Sequence, residues 1–119
     1  MRIYISGPIS GRDKEKVTKQ FKETADLLTM KGCRVFNPLE NGLPFDDTTH
    51  HHMRRDLNVL TNEEDPFDYI YMMEHWTHSA GCWKELETAI SCGIGVIFEE
   101  ASIRNGLHVI DHKVAVQFG

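Results

Sequence analysis

The sequence predicts an α/β domain built on a mainly parallel sheet, and three observations carry that expectation. Short runs rich in β-branched and aromatic residues recur along the chain: RIYIS, RVF, DYIYMM and IGVIFEE. Between them, apolar residues return at three- and four-residue steps, the mark of amphipathic helices. Glycine- and proline-bearing breaks such as GPISGR, KGC and NP separate the two kinds of segment. Strand, helix, strand in that order opens an α/β fold with parallel strands. The chain has 119 residues, enough for one domain spanning 1–119 and too few for two ordinary ones.

In order, the first strand is expected at residues 2–5. The first helix follows at about 14–31, with Val17, Phe21, Ala25, Leu28 and Leu27 on its apolar side. A short strand at 34–36 ends at Pro38. Residues 39–50 are polar and turn-rich and read as a loop or lid. A second helix is expected at about 51–61, with Met53, Leu57 and Leu60 on one face. NEEDPF reads as an acidic surface connection, 69–72 as the third strand and EHWTHS as a loop. AGCWKELETAISCG reads as a helix ending at Gly93, and 95–98 as the fourth strand. The tail after 100 suggests a short helix and a strand around LHVI or KVAVQF, of open pairing direction. No internal repeat is visible.

The formal net charge of -5 argues against a nucleic-acid polymer as partner, because that contact needs a basic surface. It leaves room for a small anion held locally by backbone N–H groups. No apolar run is long enough to span a bilayer, so no membrane partner is expected. MRIYIS reads as a strand and lacks the basic, apolar and small-residue order of a signal peptide, so a cytoplasmic location is expected. Cys33, Cys82 and Cys92 are odd in number and match no paired zinc spacing, which reads as free thiols.

Ligands of open α/β sheets bind outside the carboxyl ends of the strands. That rule selects SGPISGR, NPLENG, EHWTHS and the turn after Phe98. Ser79 is a good N-cap, and Gly81 keeps the next turn free of a side chain, so the third helix can offer N–H groups to an anion. A plain capped helix would carry the same residues. Glu85 and Glu87 are two apart and point in different directions. Glu85 lies beside an apolar face of Cys82, Leu86, Ala89 and Ile90, whereas Glu87 lies further toward solvent. Gly7 and Gly11 flank Ser10 in a loop whose backbone can approach a ligand. It matches neither G-x-G-x-x-G nor a P-loop. Tyr4 is a core tyrosine or a phenol touching a carboxylate. Asp56 and Asp68 would each be ordinary surface aspartates taken singly. Trp76 is a platform for a base or a cover for the core. His75 and His78 are three apart, not four as in H-E-x-x-H. With the histidines at 50–52 they make five expected in loops, yet no metal and no cofactor is expected.

Taken together, IYISGPISG, MRRDLNVL, DYIYMMEHWTHSAGCWKELE and AISCGIGVIF resemble the nucleoside 2-deoxyribosyltransferase-like family, in particular its bacterial and phage branch. The wider family includes 2-deoxynucleoside 5-phosphate N-hydrolases. The resemblance covers residues 1–99, and its most specific part is Ser-x-Gly-x-x-x-Glu at 79–85. It implies a doubly wound sheet with helices on both faces, of the Rossmann or flavodoxin-like kind. It implies that Glu85 is a nucleophile, that Tyr4 orients it, and that Asp56 sits near the base and helps it leave. Ser79 and Gly81 match residues facing the sugar or its 5-phosphate, and Gly7 lies in the matching first loop. Ser10 stands where the phosphate hydrolases tend to carry arginine. Ser10, Asp68 and Trp76 complete the candidate substrate contacts. The family forms dimers or larger assemblies in which a neighbour completes the pocket, with Ser102 and Asn105 the candidates for that role here. The implied activity is hydrolysis or transfer at the N-glycosidic bond of a nucleoside or nucleotide. The alternative is a nucleotide-binding module that uses the same cleft without turnover.

Overall fold

The computed structural model describes residues 1–99 and the backbone of two further strands, Val109–Ile110 and Lys113–Val116. The elements run β1 (Arg2–Ser6), α1 (Lys14–Met30), β2 (Arg34–Phe36), a 3-10 turn (Pro38–Glu40) and α2 (Thr49–Leu60). They continue as β3 (Tyr69–Met72), a second 3-10 turn (Trp76–His78), α3 (Ala80–Ser91), β4 (Gly95–Glu99), β5 (Val109–Ile110) and β6 (Lys113–Val116). The sheet order is β2-β1-β3-β4-β6-β5. The first four strands are parallel, and β6 pairs antiparallel with both β4 and β5. The pairing direction left open by the sequence is thus antiparallel. The short helix expected in the tail, and Ser102 and Asn105, lie outside the described residues.

Strand alternation divides the core in two. Ile3 and Ile5 of β1 and Tyr71 of β3 pack with Val17, Phe21 and Leu28 of α1. Tyr4 of β1 and Ile70 and Met72 of β3 pack with Leu60 of α2 and Cys82, Leu86 and Ala89 of α3. Successive strand residues face opposite sides, so α1 covers one face while α2 and α3 cover the other. This is the doubly wound arrangement. Fully burying a side chain such as Val17 or Phe21 contributes about 1.5–3 kcal/mol.

Helix ends follow their caps. Asp13 accepts from the Lys16 N–H and starts α1, while Gly32, at φ +87°, turns the chain out of it. Leu27 is 41% exposed and lies off the buried face, contrary to the expectation. The Thr48 hydroxyl accepts from the His51 N–H, so α2 starts two residues earlier than expected. The histidines at 50–52 are therefore helical, not in a loop. Ser79 caps α3, which ends at Ser91, and Gly93 takes the left-handed turn beyond it.

The strand order reverses between β1 and β3, since β2 lies to one side of β1 and β3 to the other. A crevice opens at such a switch point, beyond the carboxyl ends of the strands. No helix among the described residues is long and apolar enough to cross a membrane.

Candidate active site

The crevice is a cavity of about 470 Å³, within the range of about 300–1,000 Å³ usual for small-molecule sites. Its walls come from four segments. The loop after β1 contributes residues 7–12. Pro38, Leu39, Leu43, Phe45 and Asp47 come from the connection to α2. Thr49, His52, Met53 and Asp56 come from α2 itself. His78, Ser79, Ala80, Gly81 and Glu85 come from the start of α3 and the turn before it.

Glu85 is placed by helix periodicity. Cys82, Glu85, Leu86 and Ala89 form one buried stripe of α3, at the i, i+3, i+4, i+7 spacing of a helix face. The carboxylate therefore lies inside the apolar stripe and not merely beside it; Ile90, expected in that stripe, is 37% exposed. Glu87 is exposed. Opposite Glu85, β1 supplies two donors. The Tyr4 phenol donates to Oε2, and the Ser6 hydroxyl donates to Oε1 at 3.1 Å. Positions 4 and 6 share a strand face, so one strand holds both oxygens. Tyr4 is itself fixed by stacking on Phe36, centroids 5.2 Å apart, and by the edge of Phe67 at 5.5 Å. It lies behind Glu85, away from the cavity wall.

Asp56 is the second buried carboxyl at the cavity. Its Oδ1 accepts from Asn41 Nδ2 at 2.8 Å. Ser79 and Gly81 line the wall at the helix start, where the Ser79 hydroxyl accepts from the Cys82 N–H at 3.2 Å. Gly7 lies beneath the first loop. A Cβ there would stand 2.7 Å from Met73 Sδ and 3.0 Å from Phe21 Cζ, so packing beneath the loop requires glycine. Ser10 is exposed at the rim.

Residues 1–98 match the family described as Domain of unknown function (DUF4406). The chain belongs to that family. No curated protein matches it.

Two expected substrate contacts lie away from the cavity of this DUF4406 chain. Asp68 precedes β3 at the amino ends of the parallel strands, where its Oδ2 accepts from the Arg2 N–H at 2.8 Å. The cavity is at the other end of the sheet. Trp76 follows β3 at the correct end but packs on Trp83 and Phe98, centroids 4.6 and 5.6 Å away. That pulls its ring toward β4. His75 and His78 stack on each other at 5.7 Å. Among the described residues no three His, Cys, Asp or Glu side chains converge as a metal site.

Burial dominates the electrostatics. It pushes the Glu85 carboxyl up to about 8, helped by the charge of Asp56 and opposed by the hydrogen bonds from Tyr4 and Ser6. Burial likewise raises Asp56, against the Asn41 hydrogen bond and the nearby Arg55 guanidinium. The Tyr4 phenol is raised well above its ordinary value by burial and then by Glu85, so it remains a donor. A carboxyl raised in this way can give up a proton as a general acid, and in its ionised form can meet developing positive charge in the same cavity.

Several residues at or behind the cavity wall escaped the sequence reading. Ser6 was legible in principle, because it shares the β1 face with Tyr4. Arg12 follows the loop glycines and lines the cavity, its guanidinium donating to the Pro8 carbonyl at 2.8 Å and to Gln20. Asn41 and His52 meet Asp56 only after the irregular segment folds back, and no spacing rule announces that contact.

Proposed function

We propose that this protein cleaves or transfers at the N-glycosidic bond of a deoxynucleoside or nucleoside, or of its 5-monophosphate, with Glu85 as nucleophile or charge stabiliser. The observation that carries this reading is a buried glutamate whose two oxygens are held by Tyr4 and Ser6, at a cavity that also presents Asp56. This is the set of roles that the resemblance to nucleoside 2-deoxyribosyltransferase-like proteins assigns to Glu85, Tyr4 and Asp56.

The chemistry follows from the charges. As the bond from the anomeric carbon to the base nitrogen breaks, its electron pair leaves with the base and positive charge builds on the sugar. Ionised Glu85 stabilises that charge or bonds to the carbon. Asp56 protonates the departing base. Water then releases the sugar, or a second base captures it. The α3 start and Arg12 at the same cavity support a 5-phosphate as part of the substrate. Arg12 offers the cation that Ser10 does not. A second subunit closing the open side of the cavity belongs to the same proposal.

The test is incubation with a panel of nucleosides and their monophosphates, with and without an acceptor base, followed by detection of free base. Release from some member is the expected result. Equal affinity for nucleosides and monophosphates would remove the phosphate from the proposal. Tight binding of several with turnover of none would replace the enzyme by a nucleotide-binding module.

A further inference from the structure

Asn41 is a buried amide with its hydrogen-bonding atoms committed. Its Oδ1 accepts from the Leu43 N–H at 3.0 Å. Its Nδ2 lies 2.8 Å from Asp56 Oδ1 and 3.1 Å from His52 Nδ1. Across the imidazole, His52 Nε2 is 2.9 Å from the Pro44 carbonyl oxygen. A carbonyl oxygen only accepts, so Nε2 carries a hydrogen. In the neutral ring Nδ1 is then a lone pair, and Asn41 Nδ2 donates to it. The second Nδ2 hydrogen goes to Asp56. Asp56 Oδ1 is therefore an acceptor and carries no proton toward Asn41. Oδ2 has no hydrogen-bond partner among the described residues. No side-chain polar atom among them is both buried and unpartnered, so Oδ2 opens on the cavity that Asp56 lines.

We propose that Asn41, locked by His52, is a positioning residue that keeps Asp56 Oδ1 an acceptor and so directs any proton on Asp56 to Oδ2, on the cavity side. This rests on the reading of Asp56 as proton donor to the leaving base. In that step the Oδ2 proton passes to the base nitrogen as the glycosidic electron pair arrives there. Asp56 is left as a carboxylate, to which Asn41 already donates. The Arg55 Nη1 hydrogen bond to the Asn41 carbonyl, 2.7 Å, holds the same turn against α2.

The test reads Asp56 directly, by carbon NMR titration of its carboxyl in the whole protein, and needs no substrate. Asn41→Leu removes a hydrogen bond that favours the ionised form, so the Asp56 midpoint should move upward. His52→Asn places an amide oxygen where Nδ1 stood and should leave the midpoint near that of the unaltered protein. His52→Gln keeps only a donor toward Pro44 and should move the midpoint as Asn41→Leu does. Arg55 and Glu85, the other charged groups facing Asp56, are untouched in all three, and both His52 variants lose the imidazole alike, so the comparison between them isolates the hydrogen bond. With a substrate in hand, Asn41→Leu should lower kcat about tenfold with little change in KM. An unmoved midpoint in folded Asn41→Leu overturns the proposal, and equal midpoints in the two His52 variants overturn the part given to His52. If Asn41→Leu does not fold, the His52 pair decides. Absence of turnover on every nucleoside would strike the proposed function and leave the titration to judge Asn41.

Discussion

At the scale of single residues, Glu85 carries the most consequence. Glu85→Gln keeps the size of the side chain and removes its charge. On a substrate that is turned over, kcat should fall by about a thousandfold or more while binding changes less, the pattern expected when a transition-state partner is lost. Glu87→Gln, on the exposed face of the same helix, should be mild in the same assay. Near-full turnover by Glu85→Gln would remove Glu85 from the mechanism. Stability gives an independent check. Folding raises the Glu85 pKa from its ordinary 4.5 to about 8. Between those values the folded chain holds a proton that the unfolded chain releases, so stability falls as pH rises across the window and levels off above it. The loss is on the order of a few kcal/mol. Melting curves of Glu85→Gln should lack this slope and lie above those of the unaltered protein at pH 9. Parallel curves from pH 5 to 9 would mean that the carboxyl is not held in a desolvated place.

At the scale of elements, β1 does two jobs through one period. Its odd residues anchor α1 and its even residues, Tyr4 and Ser6, reach Glu85 across the sheet face. Both hydrogen bonds favour the ionised carboxylate. Tyr4→Phe and Ser6→Ala should therefore each shift the Glu85 titration, and the ascending limb of the rate profile that follows its ionisation, to higher pH. A shift to lower pH in either variant would contradict the assigned donors. The strand also leads into the loop whose first residue is Gly7. Gly7→Ala would drive a Cβ into Met73 and Phe21, an overpacking cost of about 1–3 kcal/mol. Thermal unfolding measures it, and an unchanged Tm would show that the loop can lift without loss.

For the whole molecule, the switch point between β1 and β3 decides where chemistry can sit, because the connections leave to opposite faces and part the loops there. The cavity so formed is open-sided. A partner subunit would both exclude water and complete the wall, as the resembled family does. Sedimentation at micromolar concentration should therefore report a dimer or larger species. A monomer at high micromolar concentration would leave each chain to form its site alone.

The four parallel strands, the three helices and the end of the sheet where the cavity opens were all legible in the sequence, since strand and helix periods and their glycine stops are local signals. Ser79, Gly81 and Glu85 were legible too, by cap and helix spacing. What the tertiary structure alone decided is which of the candidates meet. Asp68 and Trp76 read as well as Asp56 in one dimension, yet one lies at the far end of its strand and the other packs on Trp83. The meeting of Asn41 and His52 with Asp56 carried no signal, because a contact between an irregular turn and a helix face depends on how the chain returns. Local periodicity states which face a residue occupies; only packing states what stands opposite, and burial between those surfaces is what makes a glutamate hold its proton.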